Sequence, residues 1–252
     1  MTAPGRPAGI SAVVTGAAGG IGRSAALRLA KGGLPVAVVD LNADGAKRTT
    51  EEIRANGGRA EAYAADVSSE DDVAAIFQQA RSALGPIGVL VNVAGIQTAG
   101  KTVRDTSLEE WQRVLRVNLN SVFLCCRAAL PEMLELGWGR IVSTSSILST
   151  RGRARTGPYA ASKAGIVGLT RSLALEVAGR NITVNAILPS MVDTPLVQMT
   201  EEQKAARGRE LGIGRIAEPE EIAGVVAFLV SNDASYVSGH SLAISGGSYI
   251  LA

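Results

Sequence analysis

Residues 15–22 read TGAAGGIG, and this glycine-rich stretch decides the fold. It follows a β-branched run and precedes an alanine-rich stretch of helical length, so it joins a first strand to a first helix. Glycine permits the tight turn and lets the backbone approach a bound pyrophosphate, and the helix N-terminus offers free N–H groups. The stretch therefore predicts a dinucleotide site, with an ordinary glycine-rich βα turn as the structural alternative.

Short apolar runs alternate with amphipathic stretches of helical length along the rest of the chain. Strands that are apolar throughout and separated by helices predict a doubly wound α/β fold, with a parallel sheet of about seven strands covered on both faces. The predicted strands are Ile10–Thr15, Pro35–Asp40, Arg59–Tyr63, Val89–Val93, Arg140–Ser145, Ile182–Leu188 and Ser241–Ile244. The predicted helices are Ile21–Lys31, Ala43–Ala55, Ser69–Leu84, Glu109–Leu136, Pro158–Val177, Thr194–Leu211 and Pro219–Val230.

The pattern contains no repeat, low-complexity segment or linker, so residues 1–252 are predicted to form a single Rossmann-type domain. Residues 1–9 carry two prolines and suit a flexible N-terminal tail. Residues 192–215 are polar and follow a proline, which is typical of a mobile lid over a substrate site.

Composition narrows the class of protein. Hydrophobic residues make up 46% of the chain, and a net charge of +2 gives no electrostatic reason to expect nucleic acid or an anionic membrane as partner. No apolar stretch reaches the ~18 residues that span a bilayer, and no signal peptide is evident, which favours a soluble cytoplasmic protein. The adjacent Cys125 and Cys126 are poor disulfide partners, and with His240 they cannot supply a metal site of the usual kind.

Acidic residues at two strand ends indicate where adenosine binds. Asp40 ends the second strand, where a carboxylate accepts hydrogen bonds from ribose hydroxyls and repels a 2′-phosphate. Leu41 follows it, where a phosphate site favours a basic residue, so the sequence predicts NAD rather than NADP. A strand-end aspartate that caps the next turn is the alternative. Asp66 and Val67 close the third strand beside the expected adenine, although Asp66 fits a helix N-cap equally well.

Tyr159 and Lys163 stand four residues apart on a predicted helix and therefore share one face. A neighbouring ammonium favours the phenolate and lowers the pKa of a tyrosine, so that it can act as general acid or base near neutral pH. The pair alone is typical of many helix surfaces. Ser146 strengthens the interpretation because it ends the fifth strand, at the edge of a parallel sheet where ligands bind. On composition alone its rivals are Ser143, Ser145 and Ser149.

These residues resemble the short-chain dehydrogenase/reductase family over nearly the whole chain. The family motifs T-G-x-x-x-G-x-G and Y-x-x-x-K, its serine and its helix asparagine are matched by Thr15, Gly16, Gly20, Gly22, Tyr159, Lys163, Ser146 and Asn118. The resemblance implies that hydride passes between a substrate carbon and nicotinamide, while Tyr159 exchanges a proton with the substrate oxygen. It also implies that Lys163 lowers the pKa of Tyr159 and binds the nicotinamide ribose, that Ser146 stabilises the oxygen, and that Asn118 holds a water in a proton relay.

The resemblance further implies the residues that hold the cofactor. They are Gly16, Gly20, Ile21, Gly22, Asp40, Leu41, Asp66, Val67, Asn92, Ala94, Gly95, Tyr159, Lys163, Pro189, Val192 and Thr194. Three places depart from the family pattern. Val93 replaces an asparagine after Asn92, which removes a side-chain hydrogen bond that supports the sheet. Ser190 replaces a glycine after Pro189 and is expected to narrow the substrate pocket. Residues 244–247 read ISGG instead of VDGG, which is expected to alter a subunit contact.

The leading prediction is an NAD-dependent dehydrogenase or ketone reductase for a small or medium secondary alcohol. A 3-oxoacyl-thioester reductase acting on acyl carrier protein or CoA is the alternative, which Asp40 disfavours because such reductases usually take NADPH. A non-catalytic dinucleotide-binding protein is disfavoured by the intact catalytic set, and a nucleotide-sugar epimerase by the short C-terminal region. Arg153, in the arginine loop Arg151–Arg155, is a candidate ligand for an acidic substrate group, with a solvated loop as the alternative. The family commonly forms tetramers, and the apolar end over residues 248–252 suits burial in a homo-oligomer.

Overall fold

The computed structural model describes residues 5–97, 100–197 and 199–248. Seven strands form one parallel sheet in the order β3-β2-β1-β4-β5-β6-β7. The strands are β1 Ser11–Thr15, β2 Val36–Asp40, β3 Ala60–Ala64, β4 Ile87–Asn92, β5 Gly139–Thr144, β6 Ile182–Pro189 and β7 Ser241–Ile244. The predicted doubly wound parallel sheet is confirmed.

Helices cover both faces of the sheet. They are α1 Gly20–Lys31, α2 Ala43–Ala55, α3 Glu70–Leu84, α4 Leu108–Leu115, α5 Ser121–Leu136, α6 Leu148–Arg151, α7 Gly157–Glu176, α8 Glu201–Arg209 and α9 Pro219–Leu229. A π-helical turn, Arg116–Asn120, joins α4 to α5, and a 3₁₀ turn, Asn232–Ala234, follows α9. None of the described helices is long and apolar enough to cross a membrane.

Successive residues of the strands point to opposite faces of the sheet and pack into two apolar cores, one on each face. Val14 and Val142 lie in the core that α1 and α9 cover, whereas Val13 and Ile141 lie in the core that α3, α5 and α7 cover. Every residue of β1, β4, β5 and β6 is buried. This two-sided burial explains why these strands form nearly continuous apolar runs in the sequence instead of alternating with polar residues.

Three stretches differ from the sequence-based prediction. The helix predicted over Thr194–Leu211 is only α8, because Thr200 and Gln203 form a capping box that begins the helix at Glu201. The long helix predicted over Glu109–Leu136 is divided by the π-helical turn. The four-residue α6 has no counterpart in the prediction, since one helical turn leaves no periodic pattern.

Both chain ends extend past the described part. Residues 5–9 of the predicted N-terminal tail are described, and Ile10 after them is buried. Residues 1–4 and the apolar end over residues 249–252, for which an oligomer contact was predicted, lie outside the described residues. Cys125 and Cys126 are both buried and free of disulfide bonds.

Candidate active site

A cleft of about 580 Å³ opens at the carboxyl ends of the strands. The strand order reverses between β1 and β4, which is the point where open α/β sheets bind their ligands. Most of the predicted site residues line this cleft: Gly16, Gly20, Ile21, Asp40, Leu41, Asp66, Val67, Ala94, Gly95, Ser146, Tyr159, Lys163, Pro189, Ser190, Val192 and Thr194. The cleft is large enough for a small-molecule cofactor and part of a substrate.

The glycine loop is packed so tightly that two of its positions accept only glycine. Gly16 has a φ of +66°, and a Cβ there would lie 2.7 Å from the backbone nitrogen of Ala94. A Cβ on Gly22 would lie 2.0 Å from the carbonyl oxygen of Gly16, so Gly22 lets α1 pack against the turn and does not itself line the cleft. The hydroxyl of Thr49 donates to the carbonyl of Ala17 at 2.9 Å and holds the loop from α2. The result is a backbone cradle that fits a dinucleotide pyrophosphate.

Backbone donors fix the Asp40 carboxylate in the cleft wall. Its Oδ2 accepts a hydrogen bond from the N–H of Ala18 at 2.9 Å, and its Oδ1 accepts one from the N–H of Asn42 at 2.9 Å. The turn-capping alternative is therefore realised, but the carboxylate also faces the cleft and each oxygen keeps a second lone pair. Leu41 beside it is 76% exposed and brings no positive charge.

Asp66 does not cap a helix. The N-cap of α3 is Ser69, whose side chain accepts a hydrogen bond from the N–H of Asp72. Asp66 Oδ1 instead accepts hydrogen bonds from the backbone N–H and the hydroxyl of Ser68 at 2.9 and 2.7 Å. With Val67, it remains in the cleft wall where the adenine was expected.

Three predicted catalytic residues meet in the cleft. Ser146, which follows β5, and Tyr159, on the first turn of α7, both line the cleft. Lys163 lies one turn further along α7, with its Nζ 5.7 Å from the centre of the Tyr159 ring. This Nζ donates to the carbonyl of Thr144 at 2.7 Å. The hydroxyl of Ser145 is directed elsewhere, to the carbonyl of Lys163, so Ser146 is the serine at the reacting edge.

Burial dominates the titration of this group. Lys163 is 4% exposed, and loss of solvation lowers its pKa to about 8. Burial also raises the pKa of Tyr159, while the hydrogen bond to Ser146 and the charge of Arg153 lower it. The role that the resemblance implies for Lys163, to lower the pKa of Tyr159, stays a prediction: burial sets the direction of the shift here, and the Lys163 ammonium is hydrogen-bonded to the carbonyl of Thr144.

The side chain of Asn118 forms hydrogen bonds with the backbone beside the site. It is fully buried in the π-helical turn, and its Oδ1 accepts from the N–H of Ile96 at 2.7 Å. Its Nδ2 donates to the carbonyl of Ile96 at 3.0 Å and to the hydroxyl of Ser162 at 3.1 Å. Both amide hydrogens are thus engaged by protein groups, and only the second lone pair of Oδ1 is free to meet a water. The relay role of Asn118 stays a prediction.

Two other predicted residues stand outside the cleft wall. The side chain of Asn92 is buried behind it, and its Nδ2 donates to the hydroxyl of Ser143 at 3.2 Å. Arg153 is exposed on the loop between α6 and α7 and does not line the cleft, although its charge reaches Tyr159.

Some cleft residues were missed from the sequence. Arg113 and Arg116 are exposed, lie three residues apart on one face of the helix and line the cleft wall. Their spacing ahead of Asn118 is the signal that could have identified them. Further apolar lining comes from Ile96, Leu196 and Val197.

The segment predicted as a lid is closed at its base. Val192 and Ala217 form an isolated parallel bridge, and the N–H of Asp193 donates to the carbonyl of Ala217 at 2.8 Å. Lys204 on α8 reaches back to the Asp193 carboxylate at 2.8 Å. The segment between Val192 and Ala217 therefore leaves the sheet and returns to it at the same place.

The lid touches both the glycine loop and the C-terminal turn. A Cβ on Gly20 would lie 3.0 Å from the methyl group of Thr194. A Cβ on Gly212 would lie 2.7 Å from the carbonyl oxygen of Gly246. The turn at residues 244–247 thus contacts the lid within the chain, and the glycine at 212 permits the close approach. The predicted effect of the departure at 244–247 on a subunit contact stays a prediction.

Fold and site together define an oxidoreductase that binds a nicotinamide dinucleotide, and the chain belongs to the short-chain dehydrogenase/reductase family. Residues 16–249 match a family described as enoyl-(acyl carrier protein) reductase. No group of three His, Cys, Asp or Glu side chains that could hold a metal ion occurs among the residues described above.

Among curated proteins, the chain is 40% identical to the cyclohexanol dehydrogenase of Acinetobacter sp. (strain SE19), over 93% of each chain. It is 42% identical to the cis-4-hydroxycyclohexanecarboxylate dehydrogenase of Sinomonas cyclohexanicum, over 94% of this chain and 95% of the relative. It is 40% identical to the 3-oxoacyl-(acyl-carrier-protein) reductase FabG of Pseudomonas aeruginosa, over 95% of this chain and 97% of the relative. The relatives are thus similar in length and include both dehydrogenases and a reductase.

Proposed function

We propose that the protein is an NAD-dependent dehydrogenase that interconverts a secondary alcohol and a ketone. The observation that carries the proposal is the meeting of Ser146, Tyr159 and Lys163 at one end of a cleft whose other end is walled by Asp40. A non-catalytic dinucleotide-binding protein has no need of a half-buried phenol beside a serine and backed by a buried ammonium. These three groups match what proton transfer at a carbonyl requires.

The chain's own residues supply the proton chemistry. Hydride transfer to or from the substrate carbon would be supplied by a nicotinamide ring bound in the cleft. Tyr159 takes the proton of the alcohol oxygen during oxidation and returns it during reduction. The Ser146 hydroxyl donates a hydrogen bond to the same substrate oxygen and orients it toward the phenol. Lys163 favours the phenolate by its charge, and its Nζ is the group available to hold the nicotinamide ribose.

The preference for NAD is proposed from the fixed carboxylate of Asp40. Because Ala18 and Asn42 hold both its oxygens, the carboxylate cannot swing away from an incoming 2′-phosphate. Two unit charges about 4 Å apart near a protein surface repel by about 4 kcal/mol. The ribose hydroxyls of NAD can instead donate to the free lone pairs of the same oxygens.

Cofactor kinetics test this proposal. We expect wild-type kcat/KM to favour NAD over NADP by at least about 100-fold, which is less than the full repulsion predicts. Asp40→Ala should lower kcat/KM for NAD by about 10- to 100-fold, the value of losing a hydrogen bond to a charged acceptor. Adding Leu41→Arg should raise the use of NADP. Asp44→Ala, which removes an exposed carboxylate from the first turn of α2, is the matched control. A wild-type preference for NADPH would contradict the role given to Asp40.

The substrate is proposed to be a cyclic secondary alcohol. Two of the similar proteins are named for cyclohexane alcohols, and the cleft beside Tyr159 has apolar lining from Ile96, Val192 and Leu196. Ser190 also lines the cleft, and we propose that it narrows the substrate end. Initial rates with cyclohexanol and NAD, and with cyclohexanone and NADH, test the substrate class. A protein that reduces linear ketones but no cyclic one would contradict it.

A 3-oxoacyl-thioester reductase is the second candidate. The family description and the Pseudomonas relative favour it, and Arg113 with Arg116 would give the anionic part of a carrier two cations on the cleft wall. Reduction of acetoacetyl-CoA with NADH and with NADPH separates the two candidates. Under the leading proposal its kcat/KM is well below that of cyclohexanone.

A homotetramer in the cytoplasm is proposed from the family resemblance. The free buried cysteines Cys125 and Cys126 suit a reducing compartment. Size-exclusion chromatography with light scattering tests the assembly, and a monomeric mass would contradict it.

A further inference from the structure

We propose that Ser162 is a positioning residue for proton transfer at this site, because its hydroxyl fixes the Asn118 carboxamide with the amide oxygen facing the Lys163 ammonium. The inference rests on the proposed function and deepens it, since it concerns how the same site moves a proton. Ser162 lies between Tyr159 and Lys163 on α7, fully buried and outside the cleft lining. It therefore acts through other residues and not on the substrate.

The single proton of the Ser162 hydroxyl is already used within α7. Oγ donates it to the carbonyl of Tyr159 at 2.7 Å. Because the proton is used in this way, Oγ can only accept from other groups, and it accepts from Nδ2 of Asn118 at 3.1 Å. Turned round, the amide would bring its oxygen against the lone pairs of Oγ. Ser162 therefore selects one orientation of the Asn118 carboxamide.

The backbone of Ile96 selects the same orientation from the other side. Its N–H donates to Asn118 Oδ1 at 2.7 Å, and its carbonyl accepts from Nδ2 at 3.0 Å. These two bonds use only one of the two hydrogens of Nδ2, and Ser162 accepts the second. A buried N–H without an acceptor is costly, so loss of the Ser162 hydroxyl favours rotation of the carboxamide out of this position.

The fixed amide oxygen and the Lys163 ammonium face the same small space. A Cβ built on Gly95 would lie 3.2 Å from Asn118 Oδ1 and 3.5 Å from Lys163 Nζ. Gly95 and Lys163 both line the cleft. In this orientation an acceptor lies beside the cation, and the two can bind one water between them, as a proton relay requires. A rotated amide would instead present its N–H groups to the ammonium.

Close packing holds the π-helical turn and α7 at the distance that these bonds need. The turn carries Asn118 and Leu119, and a Cβ on Gly165 would lie 2.6 Å from Cδ2 of Leu119. The two elements are therefore in contact on their own account. Removal of the Ser162 hydroxyl should change the position of the Asn118 amide and leave the course of the backbone unchanged.

A serine that bonds back to the carbonyl three or four residues earlier is common in helices and by itself indicates no function. Ser121 shows this ordinary pattern, because its hydroxyl donates to the carbonyl of Val117 at 2.6 Å. Ser162 differs in that the same hydroxyl also accepts from a side chain of another element. That side chain is Asn118, for which a relay is predicted, so the ordinary interpretation does not account for the full set of contacts.

Steady-state kinetics with NAD and cyclohexanol test the inference. Ser162→Ala should lower kcat about 10-fold, the effect of one hydrogen bond, while KM for NAD and for the alcohol stays within about twofold. Ser162→Cys should lie between wild type and Ser162→Ala, because a thiol is a weaker donor and acceptor of similar shape. If Ser162→Ala does not fold, Ser162→Cys carries the comparison. Ser172→Ala, which removes an exposed hydroxyl from α7, is the control and should match wild type.

The solvent isotope effect separates positioning from a loss of folded protein. A variant that is merely less stable has fewer active molecules, so the ratio of kcat in H₂O to kcat in D₂O stays that of wild type. In Ser162→Ala this ratio should rise, because proton transfer becomes slower relative to the other steps. A lower kcat with an unchanged ratio would show that Ser162 has a structural role only.

Hydrogen exchange of the Asn118 side-chain amide, followed by NMR in the protein without cofactor, distinguishes this inference from the proposed function. At least one of the two amide hydrogens should exchange about 10-fold faster in Ser162→Ala than in wild type, because its acceptor has been removed. If wild type oxidises no secondary alcohol with NAD, the proposed function fails, and exchange still tests the contact. If wild type is active but Ser162→Ala matches it in exchange and kcat, the function stands and the inference is overturned.

Discussion

Replacing Lys163 by methionine should remove activity and stabilise the protein without cofactor. Burial lowers the pKa of Lys163 to about 8 from 10.5, which is a cost of about 3 kcal/mol for keeping the ammonium in the folded state at pH 7. Methionine fills a similar volume without charge but loses the hydrogen bond to the carbonyl of Thr144, worth about 1 kcal/mol. The net gain is about 2 kcal/mol, or a rise in Tm of about 4–8 °C for a chain of this length.

The stability difference should also depend on pH in a defined direction. Between pH 8 and 10 the unfolded chain still binds the Lys163 proton while the folded protein releases it, so wild-type stability rises with pH. Below pH 8 both states are protonated and the full cost is present. The gap between Lys163→Met and wild type should therefore be largest near pH 7 and shrink by pH 10. Above pH 10 the raised pKa of Tyr159 acts in the opposite sense, so measurements stop there.

Thermal and urea unfolding at pH 7, 8, 9 and 10, without cofactor and at one protein concentration, provide the measurement. Lys47→Met, which removes an exposed lysine from α2, is the control and should change Tm by little at any pH. The reasoning fails if Lys163→Met is no more stable than wild type at pH 7. It also fails if the difference between the two proteins does not change with pH.

Two further predictions concern the proton donor and the glycine loop. Tyr159→Phe should lower kcat by about 10²- to 10⁴-fold, the contribution of a general acid or base, while NADH still binds with near wild-type affinity by fluorescence titration; retention of wild-type kcat would remove Tyr159 from the mechanism. Gly22→Ala should abolish NADH binding or folding, because its Cβ would lie 2.0 Å from the carbonyl oxygen of Gly16. Gly224→Ala, on an open stretch of α9, should instead raise stability by about 0.5–1 kcal/mol, measured by urea unfolding. If both glycine variants behave alike, close packing of the loop does not limit the site.

Local sequence patterns were sufficient for the fold and the catalytic group. The apolar runs of β1 and β4 and the glycines between β1 and α1 are each contiguous in sequence. Burial of these strands and the tight turn between β1 and α1 can therefore be predicted from the sequence alone. Tyr159 and Lys163 are one helical turn apart, and Ser146 ends a strand at the same edge of the sheet. Geometry of this kind follows from regular secondary structure, and the structure brings these three side chains together as expected.

Features that depend on tertiary environment were not predictable. Burial sets the direction of the Tyr159 pKa shift, and the Lys163 ammonium donates to the carbonyl of Thr144; a spacing of four residues reveals neither. Arg140 is a further case: a charged residue at a strand start suggests exposure, yet it is fully buried. Its guanidinium lies 4.3 Å from the ring of Trp138 and donates to the carbonyl of Asn181 at 2.9 Å.

The lid illustrates the same limit at the level of a segment. Its polar sequence indicated mobility. It did not indicate the bridge between Val192 and Ala217, because a single pair of bridged residues leaves no periodic pattern in the sequence. The predicted helix there was too long because helical propensity in the sequence does not reveal where the Thr200 cap begins α8.

Because of the bridge at the base of the lid, this segment can be replaced as a unit. Because both of its ends leave the sheet at one point, its length and side chains can change without moving β6 or the helix α9 that follows. The glycine loop and the catalytic residues lie outside this segment, which meets the loop only at its start, through Thr194 and Pro195. Diversification of substrate range within this architecture can therefore proceed by replacing residues between 196 and 216, while the machinery for proton and hydride transfer is inherited intact.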